Sequence, residues 1–196
     1  MKLLLASSNP GKLREYQALA AGSRLELELL PGFDSLPRFE ESAPTFAENA
    51  AGKSLHYSRH AEQAVLADDS GLVVPALGGA PGPKSARYAG PNASDAERIE
   101  RLLAELRDNR GAERAARFVC VIAVARAGAM LAVVCAEVEG TLLGAPRGGG
   151  GFGYDPIFQF APLGKTFAEI PREQKNRISH RGKAFERMLK FLESLE

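Results

Sequence analysis

Apolar and polar residues at the start of the chain follow the periods of a strand, a helix and a second strand. The apolar run at residues 2–6 predicts a short buried strand, and Asn9 with Pro10 then supplies a helix cap and a proline at the first helical position. Apolar residues recur at helical spacing up to Gly22. Residues 25–29 alternate leucine with glutamate, which predicts a half-buried strand and completes a β-α-β opening.

A polar loop and a second helix follow. Residues 32–44 are rich in proline and acidic side chains and read as a loop. Thr45 with Glu48 forms a capping box, in which each side chain accepts a hydrogen bond from the backbone N–H of the other residue at the start of a helix. The helix predicted from this point carries Asn49 and Lys53.

The middle of the chain places acidic residues beside an apolar run. Residues 65–67 predict a short strand, and the tetrapeptide Asp68-Asp69-Ser70-Gly71 follows it directly. A second apolar run occupies residues 72–77, and a loop rich in glycine and proline occupies residues 78–91. We therefore expect the acidic pair to lie at the end of a strand.

The second half of the chain predicts a helix, a β-hairpin and a C-terminal helix. Ser94 with Glu97 caps the first of these helices. Runs rich in β-branched residues at 118–124 and 130–138, joined at 127–129, predict the hairpin. The apolar stripe of the first helix consists of Ile99, Leu102, Leu103 and Leu106, and that of the last, which begins at Ser179, of Phe185, Met188, Leu189, Leu192 and Leu195.

Composition and charge exclude several classes of protein. The 196 residues fit one large domain or two lobes that share a core. A net charge of +1 argues against a dedicated DNA or RNA binder. The longest apolar runs are about half as long as the roughly 20 residues of a membrane span. Cys120 and Cys135 lie in apolar runs, so both thiols are expected to be buried. The N-terminus is too short for a signal peptide, so we expect the protein in the cytoplasm, where thiols stay reduced and free.

Six residues that run from the end of the first strand into the first turn of the helix have the composition of an anion site. They are Ser7, Ser8, Asn9, Pro10, Gly11 and Lys12. Backbone N–H groups and the positive end of a helix dipole favour phosphate, and Lys12 adds a full charge. An ordinary capped helix with a solvated lysine explains the same residues.

Two acidic pairs suggest a metal. Glu40-Glu41 lies in the polar loop, and Asp68-Asp69 follows the predicted strand. Carboxylate oxygens are the ligands that Mg²⁺ prefers, and a nucleoside triphosphate normally brings that ion. A solvated surface pair also explains Glu40-Glu41, whereas carboxylates beside a core need a metal or a donor to offset their desolvation.

A glycine-rich loop precedes a candidate base-binding segment. Residues 148–153 contain a G-x-G-x-x-G match, but no strand–turn–helix context surrounds it, so we reject the dinucleotide-binding interpretation. The glycines instead favour a loop that approaches other groups closely. Phe152 and Tyr154 offer flat faces to a base or to the core, and Asp155 offers an acceptor for ring N–H groups.

A basic segment near the end of the chain is the last candidate. His180 and Arg181 fall in the first turn of the last predicted helix, where a cation opposes the helix dipole unless an anion or a ligand compensates. A surface basic patch explains the segment equally well. His56 and His60 give no reason to invoke zinc, and we assign them no function.

Taken together, these segments resemble the inosine triphosphate pyrophosphatase family, also described as the dITP/XTP pyrophosphatase or Ham1-like family. The motifs that carry the resemblance span nearly the whole chain in order. They are SSNPGK at 7–12, FAENAAGKS at 46–54, ADDSGL at 67–72, GGAPGPKSARYAG at 78–90, GGFGYDPIF at 150–158 and EQKNRISHRGKA at 173–184.

The resemblance implies an α/β fold with a mixed, strongly twisted central sheet flanked by helices. Residues 1–196 would form a single domain of two lobes with a substrate cleft between them, usually as a homodimer. The implied activity is hydrolysis of the non-canonical nucleotides ITP, dITP and XTP to the monophosphate and pyrophosphate, with Mg²⁺ as cofactor. The implied partners are purine nucleoside triphosphates, with no nucleic acid and no membrane.

The resemblance also implies roles for individual residues. Asp69 would accept the proton and bind the metal, and Glu40 would be the other metal carboxylate. Few residues of the loop match a family motif, so Glu41 stands as the alternative to Glu40. The implied substrate-binding residues are Ser7, Ser8, Asn9, Pro10, Gly11, Lys12, Lys53, Ser70, Phe152, Gly153, Tyr154, Asp155, Lys175, His180 and Arg181. Many relatives have threonine at position 7, and serine keeps the hydroxyl.

Two other functions fit parts of the sequence. One is a pyrophosphatase for modified pyrimidine nucleotides similar to the septum-formation inhibitor, against which the SHRGKA segment argues. The other is a non-catalytic nucleotide-binding module, which the intact Asp69 and the balanced charge disfavour.

Overall fold

The computed structural model describes residues 2–108 and 113–194. The strands are β1 (Lys2–Leu5), β2 (Glu26–Leu29), β3 (Ala64–Val73), β4 (Ala115–Arg126), β5 (Ala129–Leu142), β6 (Phe158–Phe160) and β7 (Lys165–Thr166). The α-helices are α1 (Pro10–Ala20), α2 (Phe46–Ser58), α3 (Asp95–Asp108), α4 (Arg172–Ile178) and α5 (His180–Glu193). Short 3₁₀ helices occupy Phe33–Ser35, Pro75–Leu77, Gly82–Arg87 and Ala161–Leu163.

The strands form a seven-stranded sheet in the order β2-β1-β3-β4-β5-β6-β7. β1 is parallel to both β2 and β3, whereas β6 is antiparallel to both β5 and β7. The predicted mixed sheet is therefore confirmed. The chain divides into two compact units: unit 1 comprises Met1–Asp69, Cys120–Ala136 and Arg181–Glu196, and unit 2 comprises Ser70–Val119 and Glu137–His180.

Unit 1 contains the predicted β-α-β opening. β1 and β2 pair in parallel with Leu4 opposite Glu28, and α1 connects them. The Asn9 side chain caps α1, since its Oδ1 accepts the N–H groups of Gly11 at 2.8 Å and Lys12 at 3.2 Å. The sequence prediction of the cap and of Pro10 at the first helical position is confirmed.

Alternation along the strands of unit 1 builds two separate apolar clusters. Successive residues of a strand point to opposite faces of a sheet, so alternate positions within each strand contact different helices. The first cluster joins Leu3, Leu5 and Leu66 to Tyr16 of α1 and to Phe185, Met188 and Leu192 of α5. The second joins Leu4, Ala6, Val65 and Ala67 to Tyr57 of α2.

The prediction that the acidic pair ends a strand is wrong. β3 runs unbroken for 10 residues from Ala64 to Val73, so Asp68 and Asp69 lie in its middle. Polar residues usually interrupt an apolar strand because their burial is costly without partners. Here both carboxylates have hydrogen-bonding or charged partners, and the strand continues through them.

Unit 2 contains α3, whose predicted apolar stripe is confirmed. Ile99, Leu102, Leu103 and Leu106 are all buried, in a cluster that also includes Phe118 and Phe158. The predicted cap is present as well. The Ser94 Oγ accepts the N–H of Glu97 at 3.2 Å, and the Glu97 carboxylate accepts the N–H of Ser94 at 2.7 Å.

The predicted hairpin is confirmed, with longer strands than the β-branched runs suggested. β4 and β5 are neighbours in the sheet and turn at Ala127-Gly128, whose φ angles are 50° and 77°. Two successive residues with positive φ are typical of the tight turns that connect twisted antiparallel strands. The strand ends extend into segments with arginine, alanine and glutamate that strand propensity does not favour.

Other expectations were incomplete. α4 and β7 were not predicted, and Leu195, expected on the inner face of the last helix, lies outside the described residues.

Both cysteines are free thiols, but only Cys120 is buried, whereas Cys135 is exposed on β5, so its predicted burial is wrong. Among residues 2–108 and 113–194, we find no helix that is both long and apolar enough to cross a membrane.

Candidate active site

The centre of the candidate site in unit 1 is the acidic pair of β3. Asp68 is fully buried, and Asp69 is 5% exposed. Because they are adjacent in a strand, their side chains point to opposite faces of the sheet. Asp68 shares the face of Leu66 and therefore the side of α1 and α5, whereas Asp69 shares the face of Val65 and Ala67 and the side of α2.

Asp68 is the anchor of a buried ion network. Its Oδ2 lies 3.0 Å from Lys12 Nζ and 3.6 Å from Arg181 Nε. Arg181 also pairs with Glu15 of α1, so α1, β3 and α5 are joined by charge. Burial raises the pKa of Asp68, but the charges of Lys12, Arg181 and Lys53 outweigh that effect and hold the pKa below its usual value. Asp68 therefore stays ionised in the core.

The candidate phosphate segment leads from β1 into α1. Ser7 is buried and its Oγ accepts the N–H of Asn9 at 3.2 Å, while Ser8 and Asn9 are exposed. The Lys12 ammonium is directed at Asp68, with its side chain 14% exposed. Because the Asn9 cap engages the N–H groups of Gly11 and Lys12, the segment offers a hydroxyl, an amide and a positive charge rather than a set of open N–H groups.

Asp69 has a different environment from its neighbour. Its Oδ2 accepts a hydrogen bond from the Asn49 Nδ2 at 2.9 Å. Burial raises the pKa of Asp69 to about 6, against the opposing effects of Lys12 and of the Asn49 hydrogen bond. Neighbouring titratable groups whose environments push their pKa values apart are typical of active sites.

One face of α2 holds the acidic loop that was predicted at residues 32–44. His56 Nε2 lies 2.7 Å from the Pro37 carbonyl oxygen, and the Tyr57 hydroxyl accepts the Phe39 N–H at 3.2 Å. The Phe39 ring covers Gly52, since a Cβ there would lie 2.6 Å from Phe39 Cζ. Gly52, His56 and Tyr57 are spaced at intervals of three or four residues from Asn49 and Lys53. The contacts with the loop therefore lie on the same face of α2 as Asn49 and Lys53.

Within the loop, Glu41 rather than Glu40 contacts the rest of the site. Glu41 Oε1 lies 2.6 Å from Lys53 Nζ, and its charge also raises the pKa of Asp69. Burial lowers the pKa of Lys53, but Glu41 and Asp68 outweigh it, so the pKa is raised and the ammonium stays charged. Glu40 is exposed.

The carboxylates suit a hard divalent cation by their chemistry. Asp69, Glu40 and Glu41 offer oxygen ligands, and a cation beside Asp69 would offset the burial that raises its pKa. In the described part of the chain, no three histidine, cysteine or acidic side chains already gather as a preformed metal cage.

Unit 2 holds the candidate base-binding residues. Lys175 Nζ lies 2.6 Å from Asp155 Oδ2, and the two side chains are only 5% and 4% exposed. The same carboxylate oxygen accepts the Phe152 N–H at 2.9 Å. Lys175 Nζ also lies 5.1 Å from the centre of the half-buried Phe152 ring. A flat ring, a cation and an acceptor are thus held together.

The preceding glycines allow the close approach that the sequence predicted. Gly148 has a φ of 83°, and a Cβ there would lie 2.5 Å from the backbone carbon of Ala168. Gly151 has a φ of 72°, and a Cβ there would collide with the Asp155 carboxylate. Any side chain at these positions would displace the loop that carries Phe152.

Asp95 and Ser85, which no sequence motif marks as functional, support this loop. Asp95 Oδ2 accepts the Gly153 N–H at 2.6 Å, and Asp95 also pairs with Arg98. Tyr154 is buried, and its hydroxyl donates to the Ser85 carbonyl at 3.0 Å. Asp95 was read only as part of a helix start and Ser85 only as part of a loop, because both contacts are made across more than 50 residues of sequence, 58 and 69 respectively.

His180 and Arg181 have different surroundings despite being adjacent. The His180 ring is buried and stacks on Phe118, with ring centres 4.7 Å apart and an interplanar angle of 11°. The Arg181 guanidinium is directed at Glu15 and Asp68. These carboxylates supply the negative charge that the cation was predicted to need at the start of a helix. Ser70 lies at the start of unit 2 and is half-buried.

Comparison with known proteins gives a consistent result. A sequence profile of the Ham1 family matches residues 3–191. A dITP/XTP pyrophosphatase from Geobacillus kaustophilus is 49% identical over 187 residues, which cover 95% of this chain and 92% of that protein. A dITP/XTP pyrophosphatase from Syntrophobacter fumaroxidans is 48% identical over 198 residues, covering 97% and 84%. The solved structure of a HAM1 protein from Coxiella burnetii is similar with a TM-score of 0.89 and 42% identity, covering 99% of both chains.

Proposed function

The chain belongs to the Ham1 family, and we propose that it hydrolyses ITP, dITP and XTP to the nucleoside monophosphate and pyrophosphate. The observation that carries this proposal is the buried pair Asp68-Asp69, in which one carboxylate is neutralised by Lys12 and Arg181 and the other is not. A buried carboxylate with a raised pKa is typical of a catalytic proton acceptor.

Asp69 is the proton acceptor in this proposal. Asn49 engages Oδ2, and Oδ1 takes the proton of the water that attacks the α-phosphorus. Burial raises the pKa of Asp69 to about 6 in the metal-free protein, and a bound cation would lower it, so the group is ionised at neutral pH and can accept a proton. The pyrophosphate then leaves from the same phosphorus.

A divalent cation, Mg²⁺ in this proposal, would be held by Asp69 with Glu40 or Glu41 and would supply positive charge to the phosphate oxygens. Glu41 is the better supported of the two because Lys53 holds its carboxylate. Lys12 and Lys53 bind phosphate oxygens and stabilise the charge that grows on the leaving pyrophosphate. Ser7, Ser8 and Asn9 contribute polar contacts to the phosphates at the start of α1.

Base selection is assigned to the loop of unit 2. Phe152 provides the stacking face, and Lys175 offers a donor to the 6-oxo group that distinguishes inosine and xanthine from adenine. Asp155 fixes Lys175 and accepts ring N–H groups. Gly153 and Tyr154 shape the loop, while Ser70, His180 and Arg181 complete the set of substrate-binding residues.

We further propose a cytoplasmic homodimer. Leu131 and Val133 are 40% and 46% exposed on β5, so this strand offers an apolar face to a second copy of the chain. The two free thiols fit a reducing compartment. Sedimentation of the wild type against Val133→Glu tests the dimer, which this substitution should dissociate.

Asp69→Asn tests the proposed activity. Pyrophosphate release is measured with ITP, XTP, GTP, ATP and a modified pyrimidine triphosphate, with and without Mg²⁺. The wild type should act on ITP and XTP only when Mg²⁺ is present, and Asp69→Asn should reduce release to a small residual rate while leaving Tm unchanged or raised. Wild-type turnover by this variant would contradict the assignment of the base.

Two comparison variants sharpen the result. Asp34→Asn makes the same change at an exposed carboxylate and should leave activity and Tm unchanged. Asp68→Asn should lower Tm, because it leaves the buried Arg181 and Lys12 with less negative charge. Release from the pyrimidine nucleotide alone would favour the septum-formation-inhibitor-like reading instead.

A further inference from the structure

Asn49 is fully buried on α2 and makes hydrogen bonds in two directions. Its Oδ1 accepts the Ala43 N–H at 3.0 Å, and its Nδ2 donates to the Ala43 carbonyl at 3.3 Å. The same Nδ2 donates to Asp69 Oδ2 at 2.9 Å. One amide group therefore contacts both the end of the acidic loop and the carboxylate in the middle of β3.

The position of this amide is set by the start of the helix. Thr45 caps α2 by accepting the Glu48 N–H at 3.2 Å, which fixes the first turn. Asn49 N–H donates to the Thr45 carbonyl at 3.2 Å and so lies in that rigid turn. Because its Nδ2 has only two hydrogens, the bonds to Ala43 and Asp69 use both of them and fix the side-chain orientation.

We propose that Asn49 is a positioning residue for Asp69: by binding Oδ2, it turns Oδ1 toward the water and holds the acidic loop in register with that carboxylate. The inference rests on the proposed role of Asp69. A buried carboxylate with one oxygen fixed presents its other oxygen in a single orientation, and small misplacements of a catalytic group are costly to rate.

The chemistry of the side chain explains why an asparagine is needed. An aspartate at position 49 has the same shape but no donor, and its charge would repel Asp69 at a separation of 2.9 Å. An alanine removes all three hydrogen bonds. A glutamine is longer by one methylene group and would have to fold back to reach the same partners.

Steady-state kinetics of Asn49→Ala and Asn49→Asp test the proposal. Partners that orient catalytic groups typically contribute about 10–100-fold to activity, so kcat for ITP should fall by that factor in Asn49→Ala and by more in Asn49→Asp. The Kd for α,β-methylene-ITP, measured by calorimetry with Mg²⁺, should stay within a factor of about three, because the effect lies in the transition state. Should Asn49→Ala unfold at the assay temperature, the isosteric Asn49→Asp carries the test.

Two further variants separate positioning of Asp69 from simple support of the loop. Tyr57→Phe removes the hydroxyl that holds Phe39 without touching Asp69, so it should raise the Mg²⁺ concentration for half-maximal rate while kcat at saturating Mg²⁺ is retained. Asn92→Asp makes the same chemical change at an exposed loop residue and should change neither quantity.

A double variant distinguishes failure of this inference from failure of the proposed function. If Asn49 acts through Asp69, then Asn49→Ala should cost nothing further in an Asp69→Asn background. Full turnover by Asp69→Asn would overturn the proposed function itself. A loss in Asp69→Asn together with an unchanged kcat in both Asn49 variants, or with equal losses in Tyr57→Phe and Asn49→Ala, would overturn only the positioning role.

Discussion

Substitution of Lys175 by methionine removes one member of a buried ion pair in unit 2. The ammonium lies 2.6 Å from Asp155 Oδ2, and neither side chain is more than 5% exposed. Methionine fills a similar volume without the charge, so the Asp155 carboxylate would lose its cationic partner in a largely buried position. The change therefore tests whether the pair is needed for folding of the loop that carries Phe152.

The expected loss of stability is large for a single substitution. Removing one partner of a buried ion pair typically costs about 3–5 kcal/mol, because the other charge is left without compensation. For a chain of this size each kcal/mol lowers Tm by about 2–4 °C, so Lys175→Met should lower Tm by roughly 6–20 °C. Asp155→Asn should also destabilise, while keeping an acceptor for the Phe152 N–H at 2.9 Å.

Thermal unfolding followed by circular dichroism measures the effect in the two single variants and in Asp155→Asn/Lys175→Met. The double variant buries no charge, so it should be more stable than the sum of the single losses predicts. Lys190→Met, which breaks an exposed pair with Glu186, should leave Tm essentially unchanged. Additive losses, or a Tm for Lys175→Met equal to that of Lys190→Met, would refute the reasoning.

Two further substitutions test the supports of unit 1. Gly52→Ala places a Cβ 2.6 Å from Phe39 Cζ, so it should destabilise the fold by about 1–3 kcal/mol, which urea unfolding measures. Displacement of Phe39 should also shift the acidic loop and raise the Mg²⁺ concentration needed for half-maximal rate, which a Mg²⁺ titration measures. Asn9→Ala removes the acceptor for two N–H groups of α1 and should cost about 1 kcal/mol in urea unfolding, whereas Asn9→Ser should recover most of that loss because serine also caps helices.

Local features of the fold could be predicted because local residues cause them. Asn9, Thr45 and Ser94 each cap the helix that follows, and the contacts involved span only two or three residues. The stripe of α3 is likewise a property of one helix. α4 was not predicted because its residues, REQKNRI, are largely polar and show no apolar stripe.

Partners that are distant in sequence limited the prediction of the site. The unbroken course of β3 depends on Lys12, which is 56 residues from Asp68, and on Asn49, which is 20 residues from Asp69. Without those partners the polar tetrapeptide looks like the end of a strand. The same limit applies to Arg181, where a need for negative charge was predicted but Glu15, 166 residues away, could not be identified as its source.

The continuity of β3 is what gives the acidic pair two distinct chemistries. In a loop, neighbouring aspartates share one environment and compete for the same cations. In a strand they face opposite sides of the sheet, so Asp68 meets Lys12 and Arg181 while Asp69 meets Asn49. The pKa of Asp68 is lowered and that of Asp69 is raised to about 6, although the residues are adjacent. An insertion of one residue between them would put both carboxylates on one face, and we expect it to abolish this difference.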